Sequence, residues 1–293
     1  MVGGPTAVGK TGIAVSLAKY FKTEIINADS RQVYRELNIG VNKPSRQELD
    51  QIKHHLLGHT SIHDEYNVGI YEKEAIKTIR DLFHYHDRII LTGGTGLYIQ
   101  AVMHGIDAFP DIPVSVRHEI QELLENKGIG ALQAELQNKD PEYFQTIDIH
   151  NPRRLTRAIE VIKVSGMTYT SYLKKQKIIR PFDVLPVFIT EERKKLYEAI
   201  HVRVDEMIHQ GLKSEARSMH SHRHLTALQT VGYKEWFDFF EGKCSESAAI
   251  EKIKQHTRNY AKRQWTWWRP LNWPEFYKHE FDKIITHLET QLV

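Results

Sequence analysis

A single cysteine, Cys244, stands in a chain of 293 residues, which excludes an intrachain disulfide and a zinc site built from cysteines. No apolar run approaches the roughly 18 residues that a membrane-spanning helix needs. No secretory signal, internal repeat or low-complexity segment is visible, so a cytoplasmic compartment is expected. Net charge is scarce too: 40 Lys and Arg against 37 Asp and Glu leave +3. Only Met1, Val2 and Gly3 precede the first motif. A strand that short cannot anchor the centre of a sheet, so several apolar residues are expected upstream. What remains, 41% hydrophobic and 26% charged, is an ordinary globular composition, long enough for two domains or one domain with an insertion.

The most specific stretch is Gly4, Pro5, Thr6, Ala7, Val8, Gly9, Lys10 and Thr11. It fits the phosphate-binding pattern G-x-x-x-x-G-K-[ST] at every fixed position. Gly4 and Gly9 let the backbone curl until successive N–H groups face an anion. Lys10 adds a cation, Thr11 offers a hydroxyl to Mg²⁺, and a helix beginning at the motif presents its positive end. The motif alone reads as nucleotide- or ATP-binding; physically it demands only a phosphorylated ligand.

Strand and helix signals alternate over the first hundred residues, as in a parallel α/β sheet. Residues 24–29 form a short apolar strand ending at Asp29, a helix spans 71–85, and a buried strand at 88–92 runs into Gly93, Gly94 and Thr95. Ligands of such sheets bind beyond the carboxyl ends of the strands, where the loop, Asp29 and Thr95 would meet. From about Pro110 helical periodicity takes over: 116–126, 130–137, 141–147, 152–164 and 168–175. Asn151 with Pro152 reads as a helix start. A strand returns at 184–189, followed by helices from 193 to 210, from 213 to 220 and through the C-terminal third. The expected organisation is an α/β core over 1–109 and 183–293, interrupted by an all-helical insertion over 110–182.

Charge is unevenly spread. Residues 151–180 hold Arg153, Arg154, Arg157, Lys163, Lys174, Lys175, Lys177 and Arg180 against one acid, Glu160. Residues 252–269 hold Lys252, Lys254, Arg258, Lys262, Arg263 and Arg269 with no acid. Such clusters point to a polyanionic partner or to solvated helix faces. Tyr260, Trp265, Trp267 and Trp268 stand among the second cluster, fit either for stacking on bases or for packing. Asp29 has three readings: holding the Mg²⁺ water shell, acting as a base, or capping a turn ahead of residues 31–37. Spacing alone leaves them open. His220, His222 and His224 alternate, but on a loop they read as surface histidines rather than metal ligands.

The motifs in order resemble those of the tRNA dimethylallyltransferases, or tRNA isopentenyltransferases, of bacterial type. They are GPTAVGKT at 4–11, DSRQVYR at 29–35, IG-x-x-KP at 39–44, HHLL at 54–57, GGTGLY at 93–98, NPRRL-x-RA-x-EV at 151–161, QTVGYKE at 229–235 and TRNYAKRQWTWWR at 257–269. They cover nearly the whole chain. The zinc-finger extension of many eukaryotic members has no counterpart here.

The resemblance implies a P-loop, shikimate-kinase-like core whose loop holds the diphosphate of dimethylallyl diphosphate. It implies transfer of the dimethylallyl group to the exocyclic amine of the adenosine on the 3′ side of a tRNA anticodon. By resemblance Asp29 is the base, Thr95 helps to place it, Lys10 and Arg217 act on the diphosphate, and Thr11 serves Mg²⁺. The residues aligned with tRNA contacts are Asp29, Ser30, Arg31, Gln32, Thr95, Arg117, Arg153, Arg154, Leu155, Thr156, Arg157, Gln229, Thr230, Val231, Gly232, Tyr233 and Lys234. A monomer that engages the anticodon stem-loop is expected. The rivals are an adenylate-type isopentenyltransferase, a small-molecule kinase on the same core, and a non-catalytic RNA-binding protein with a vestigial loop.

One consequence is measurable. Affinity for an anticodon stem-loop should fall as salt rises, with a slope of roughly −0.7 per phosphate contact for single strands. Replacing Arg153, Arg154 and Arg157 by Ala should flatten that slope. An unchanged slope would remove this cluster from the interface.

Overall fold

Short apolar runs build a six-stranded sheet in the computed structural model, which describes residues 1–173 and 178–292. The strands are Val2–Gly3 (β1), Ile25–Asn27 (β2), His54–His55 (β3), Ile90–Thr92 (β4), Val187–Thr190 (β5) and Glu275–Tyr277 (β6). Their order is β3-β2-β4-β1-β5-β6, and every pairing is parallel. β1, β2, β4 and β5 are buried throughout, as strands covered on both faces must be. Although it has only two residues, β1 lies between β4 and β5, with Val2 paired to Thr92 and Val187. β3 and β6 are edge strands that sequence reasoning missed. Both are only partly buried or exposed, so neither carries an apolar run.

The helix Lys10–Tyr20 follows β1 and buries Ile13, Ala14, Val15, Leu17 and Ala18. The helix Val68–Leu82 begins earlier than its apolar pattern because Asn67 caps it, accepting from the Gly69 and Ile70 N–H groups. Residues 31–37, which Asp29 would cap in one of its three readings, form turns, with Tyr34 in an isolated bridge to Thr60.

Two compact units divide the chain. The first joins Met1–His104 to Arg180–Val293 and contains the sheet. Within it Arg180 donates to the carbonyls of Val102 (2.8 Å) and Ala101 (2.6 Å) and pairs with Glu72. That contact withdraws Arg180 from the basic surface run. The second unit, Gly105–Ile179, is helical: Val114–Lys127, Ile129–Lys139, Pro141–Thr146, Pro152–Ser165 and Tyr169–Tyr172. Its core is Ile120, Leu132, Leu136, Leu155, Ala158, Ile159 and Ile162. Asp140, 1% exposed, accepts from the Tyr143 N–H and from the Thr170 N–H and hydroxyl, so this buried carboxylate is satisfied. Lys174, Lys175 and Lys177 of the first basic run lie outside the described residues.

The ends of β2 and β4 press together main chain to main chain. A Cβ at Gly93 would lie 2.1 Å from the Ala28 carbonyl oxygen. Gly93→Ala should therefore cost at least the ~3 kcal/mol upper end usual for overpacking. Denaturant unfolding of that variant checks this; a loss within ~0.5 kcal/mol, normal for a surface site, would show the contact to be slack.

Candidate active site

The loop at residues 4–11 adopts the curl that its glycines allow. Gly4 has φ +145° and Gly9 φ +95°, and Ala7 also lies on the left-handed side at φ 65°. Lys10 folds back over the loop and donates to the Pro5 carbonyl at 2.6 Å. Burial, and then the neighbouring Arg203, bring its ammonium down to about 7, with Asp29 opposing. Its ammonium therefore gives up its proton more readily than an exposed lysine until an anion arrives.

Asp29 follows β2, and Thr95 follows β4. The Thr95 N–H donates to the Ala28 carbonyl at 3.2 Å. The Thr95 hydroxyl accepts from the Ser30 N–H at 2.9 Å and donates to the Ser30 hydroxyl at 3.2 Å. Asp29 Oδ1 accepts from the Arg31 N–H at 2.9 Å and the Gln32 N–H at 3.3 Å. That is the turn cap foreseen as one of the three readings, and it uses only one oxygen. Oδ2 accepts no hydrogen bond among the described residues. The cap therefore orients the carboxylate and leaves its second oxygen available to a proton.

Two groups at this edge escaped sequence reasoning. Arg203, on the helix Arg193–His209, donates to the Thr6 hydroxyl at 2.9 Å. Burial brings its guanidinium down to about 10, with Asp29 opposing as the largest favourable charge. Gln264, 6% exposed, bridges the two glycine loops, accepting from the Thr6 N–H and donating to the Gly94 carbonyl, each at 2.8 Å. Beside them burial, and then the Asp29 charge, push the Tyr260 phenol up. Both residues lie within helices, where one Arg or Gln among many carries no local signal.

Arg217 sits elsewhere: its guanidinium stacks 3.5 Å above the Phe240 ring. The arginine that reaches the phosphate loop is Arg203.

Several residues aligned with RNA contact are internal. Leu155 and Tyr233 are fully buried, and Gly232 is buried. Arg31 donates to the Thr226 and Ala227 carbonyls, and Gln32 to those of Val41 and Asn42. Gln229 donates to the Arg223 carbonyl. Arg153, Arg154 and Lys234 are exposed. Arg157 lies 5.4 Å over the Phe109 ring and 3.9 Å from Glu160. In the second basic run Lys254 pairs with Asp205 at 2.8 Å, and Arg258 contacts His201. Its tryptophans pack: Trp265 and Trp268 lie against Phe188, and a Cβ at Gly96 would fall within the Trp267 ring.

Among the described residues no group of three or more His, Cys, Asp or Glu could hold a metal ion, and no helix is long and apolar enough to cross a membrane. Mg²⁺ does not need such a cage, since it keeps waters and takes phosphate oxygens with one or two protein ligands. Thr11, in the first turn after the loop, fits that mode.

The sequence pattern of the IPP transferase family matches residues 32–270. The tRNA dimethylallyltransferase of Christiangramia forsetii is 43% identical over 98% of this chain and 97% of its own. That of Flavobacterium johnsoniae is 42% identical over 96% and 93%. Among solved structures, the tRNA isopentenylpyrophosphate transferase of Bacillus halodurans is similar at a TM-score of 0.71 and 33% identity, covering 99% of this chain and 96% of that one. A eukaryotic dimethylallyltransferase captured acting on tRNA is similar at 0.78 and 27%, covering 91% and 68%.

The Lys10 environment makes a pH-dependent prediction. An anion bound in the loop raises the Lys10 pKa above its free value of about 7. Below that pH Lys10 is already charged and binding takes up no proton from it. At pH 8 binding of inorganic diphosphate should take up a proton, and Lys10→Ala should abolish that uptake. Calorimetry in buffers of different ionisation enthalpy measures it; uptake undiminished in the variant would contradict the assignment.

Proposed function

The chain belongs to the IPP transferase family, and we propose that it transfers a dimethylallyl group from dimethylallyl diphosphate to the exocyclic amine of the adenosine on the 3′ side of a tRNA anticodon. The observation that supports this most strongly is one sheet edge on which Asp29, a carboxylate with one oxygen anchored and one available, adjoins a loop that carries Lys10 and is reached by Arg203 from the helix Arg193–His209. A kinase would use a cationic loop and a base as well; what favours the prenyl acceptor over it is the family match together with the tRNA dimethylallyltransferase relatives.

In this reading the main-chain N–H groups of residues 7–11, Lys10 and Arg203 bind the donor diphosphate. Thr11 holds Mg²⁺, which when bound supplies further positive charge to the diphosphate. The allylic C–O bond breaks, its electron pair leaves with the diphosphate, and the charge that grows there is what the preorganised cations stabilise. The adenosine amine forms the new N–C bond and gives one proton to Asp29 Oδ2. Asp29 is held for this by the Arg31 and Gln32 N–H groups, and Ser30 by Thr95. Gln264 keeps the two loops in register by bridging Thr6 and Gly94. The target base leaves its stack to reach the site. Arg153, Arg154 and Lys234 are exposed cations suited to the RNA backbone. Thr156, Arg157, Arg117, Thr230 and Val231 remain candidates through the family resemblance.

Mass spectrometry of tRNA incubated with the full chain and donor tests the activity. A prenylated adenosine beside the anticodon is expected. Prenylated free adenylate, or ATP turnover with unchanged tRNA, would contradict it. For Asp29→Ala we expect the transfer rate to fall by about 10²- to 10⁴-fold, the range for a lost general base, with donor and tRNA still bound. Loss of diphosphate affinity, partly restored by excess Mg²⁺, would instead make Asp29 a metal-ordering group.

A further inference from the structure

Glu215 lies on the short helix Leu212–Ser218, and its carboxylate is bound to a loop remote in sequence. One oxygen accepts from the Asn38 N–H at 3.2 Å and the Ile39 N–H at 2.9 Å. The other accepts from the Gly40 N–H at 2.9 Å and the Tyr233 hydroxyl at 2.6 Å. Three successive main-chain donors and a buried phenol thus converge on one side chain. Burial and the Glu215 charge push that phenol up, so it stays a donor. The Tyr233 ring lies flush on Gly40, where an added Cβ would come within 2.5 Å of it.

These bonds join two segments into one piece. Residues 38–43 are held from one side by Gln32, whose amide donates to the Val41 and Asn42 carbonyls. They are held from within by Lys43, which donates to the Tyr34 carbonyl and Asn38 Oδ1. The turn at 229–234 is held by Glu235, which accepts from the Gly232 N–H at 2.8 Å. Gln32 in turn donates its N–H to Asp29. A continuous chain of hydrogen bonds therefore runs from Asp29 through the 38–43 loop and Glu215 to Tyr233. Among the described residues every hydrogen bond to this carboxylate comes from a neutral donor, and the Lys43 ammonium is a nearby cation whose charged form Glu215 favours.

We propose that Glu215 is a positioning residue for the tRNA acceptor. It sets the 38–43 loop and the 229–234 turn in one geometry for the anticodon loop while touching neither RNA nor donor. This rests on the reading, above, that the chain prenylates tRNA, and extends it by setting these two segments beside the acceptor.

The test uses the full chain with Glu215→Gln and Tyr233→Phe. Gln sets an NH₂ group against N–H donors, and Phe removes only the phenol bond. In each variant KM for an anticodon stem-loop should rise about tenfold, the equivalent of one lost hydrogen bond. The rate at saturating RNA and the donor affinity should stay within about twofold, and the salt slope of RNA binding should be unchanged because no phosphate contact is lost. Two results overturn the proposal: a lower melting temperature with KM unmoved, or tighter RNA binding once the acid is gone. If Glu215→Gln fails to fold, Tyr233→Phe decides by the same readings. Wild-type protein that leaves tRNA unmodified would refute the reaction itself; normal wild-type turnover with unmoved KM in the variants would refute only the role of Glu215.

Discussion

The site depends on one main-chain contact, that between Ala28 at the end of β2 and Gly93 at the end of β4. No side chain fits between them. The Ala28 N–H donates to the Thr92 carbonyl at 2.7 Å, and the Ala28 carbonyl accepts from the Thr95 N–H at 3.2 Å. Backbone so close at a strand end brings the next residues of both strands together, Asp29 and Ser30 against Thr95. The phosphate loop leaves β1, which is paired to β4. Parallel pairing thus delivers a carboxylate, a hydroxyl and an anion cradle to one edge.

Electrostatics at that edge are unbalanced in favour of an anion. Lys10 and Arg203 are both brought down by burial and share Asp29 as their opposing charge. One carboxylate is insufficient for two cations out of water, which supports the proposal that an anion binds between them. The same imbalance leaves Asp29 flanked by cations before the donor arrives.

What was legible in the sequence was what is local. Residues 4–11 are contiguous, so their curl and cation could be read directly. Asp29 and Thr95 were legible because each ends an apolar run, and strand ends converge in parallel sheets. The Asn151 cap was legible for the same reason, and its side chain does accept from the Arg154 N–H. Arg203, Gln264 and Glu215 act through contacts between helices and loops far apart in the chain, which no local pattern encodes. Arg217 was named on resemblance alone, and its guanidinium packs on Phe240. The cations of residues 252–269 read either as a polyanion-binding or as a solvated face, and the tryptophans among them either as stacking platforms or as packing; folding sets Asp205, His201, Phe188 and Gly96 against several of them. The edge strands β3 and β6 were missed because half-exposed strands need no apolar run. The reaction was legible only through motifs in a shared order, now matched by relatives 42–43% identical.

The most direct test of the account is a crystal structure of the full chain with an unreactive dimethylallyl diphosphate analogue. Diphosphate oxygens are expected within hydrogen-bond distance of the main-chain N–H groups of residues 7–11, of Lys10 Nζ and of the Arg203 guanidinium, with the allylic carbon facing Asp29. Diphosphate bound at Arg217, with Lys10 still on the Pro5 carbonyl and Arg203 still on Thr6, would contradict it.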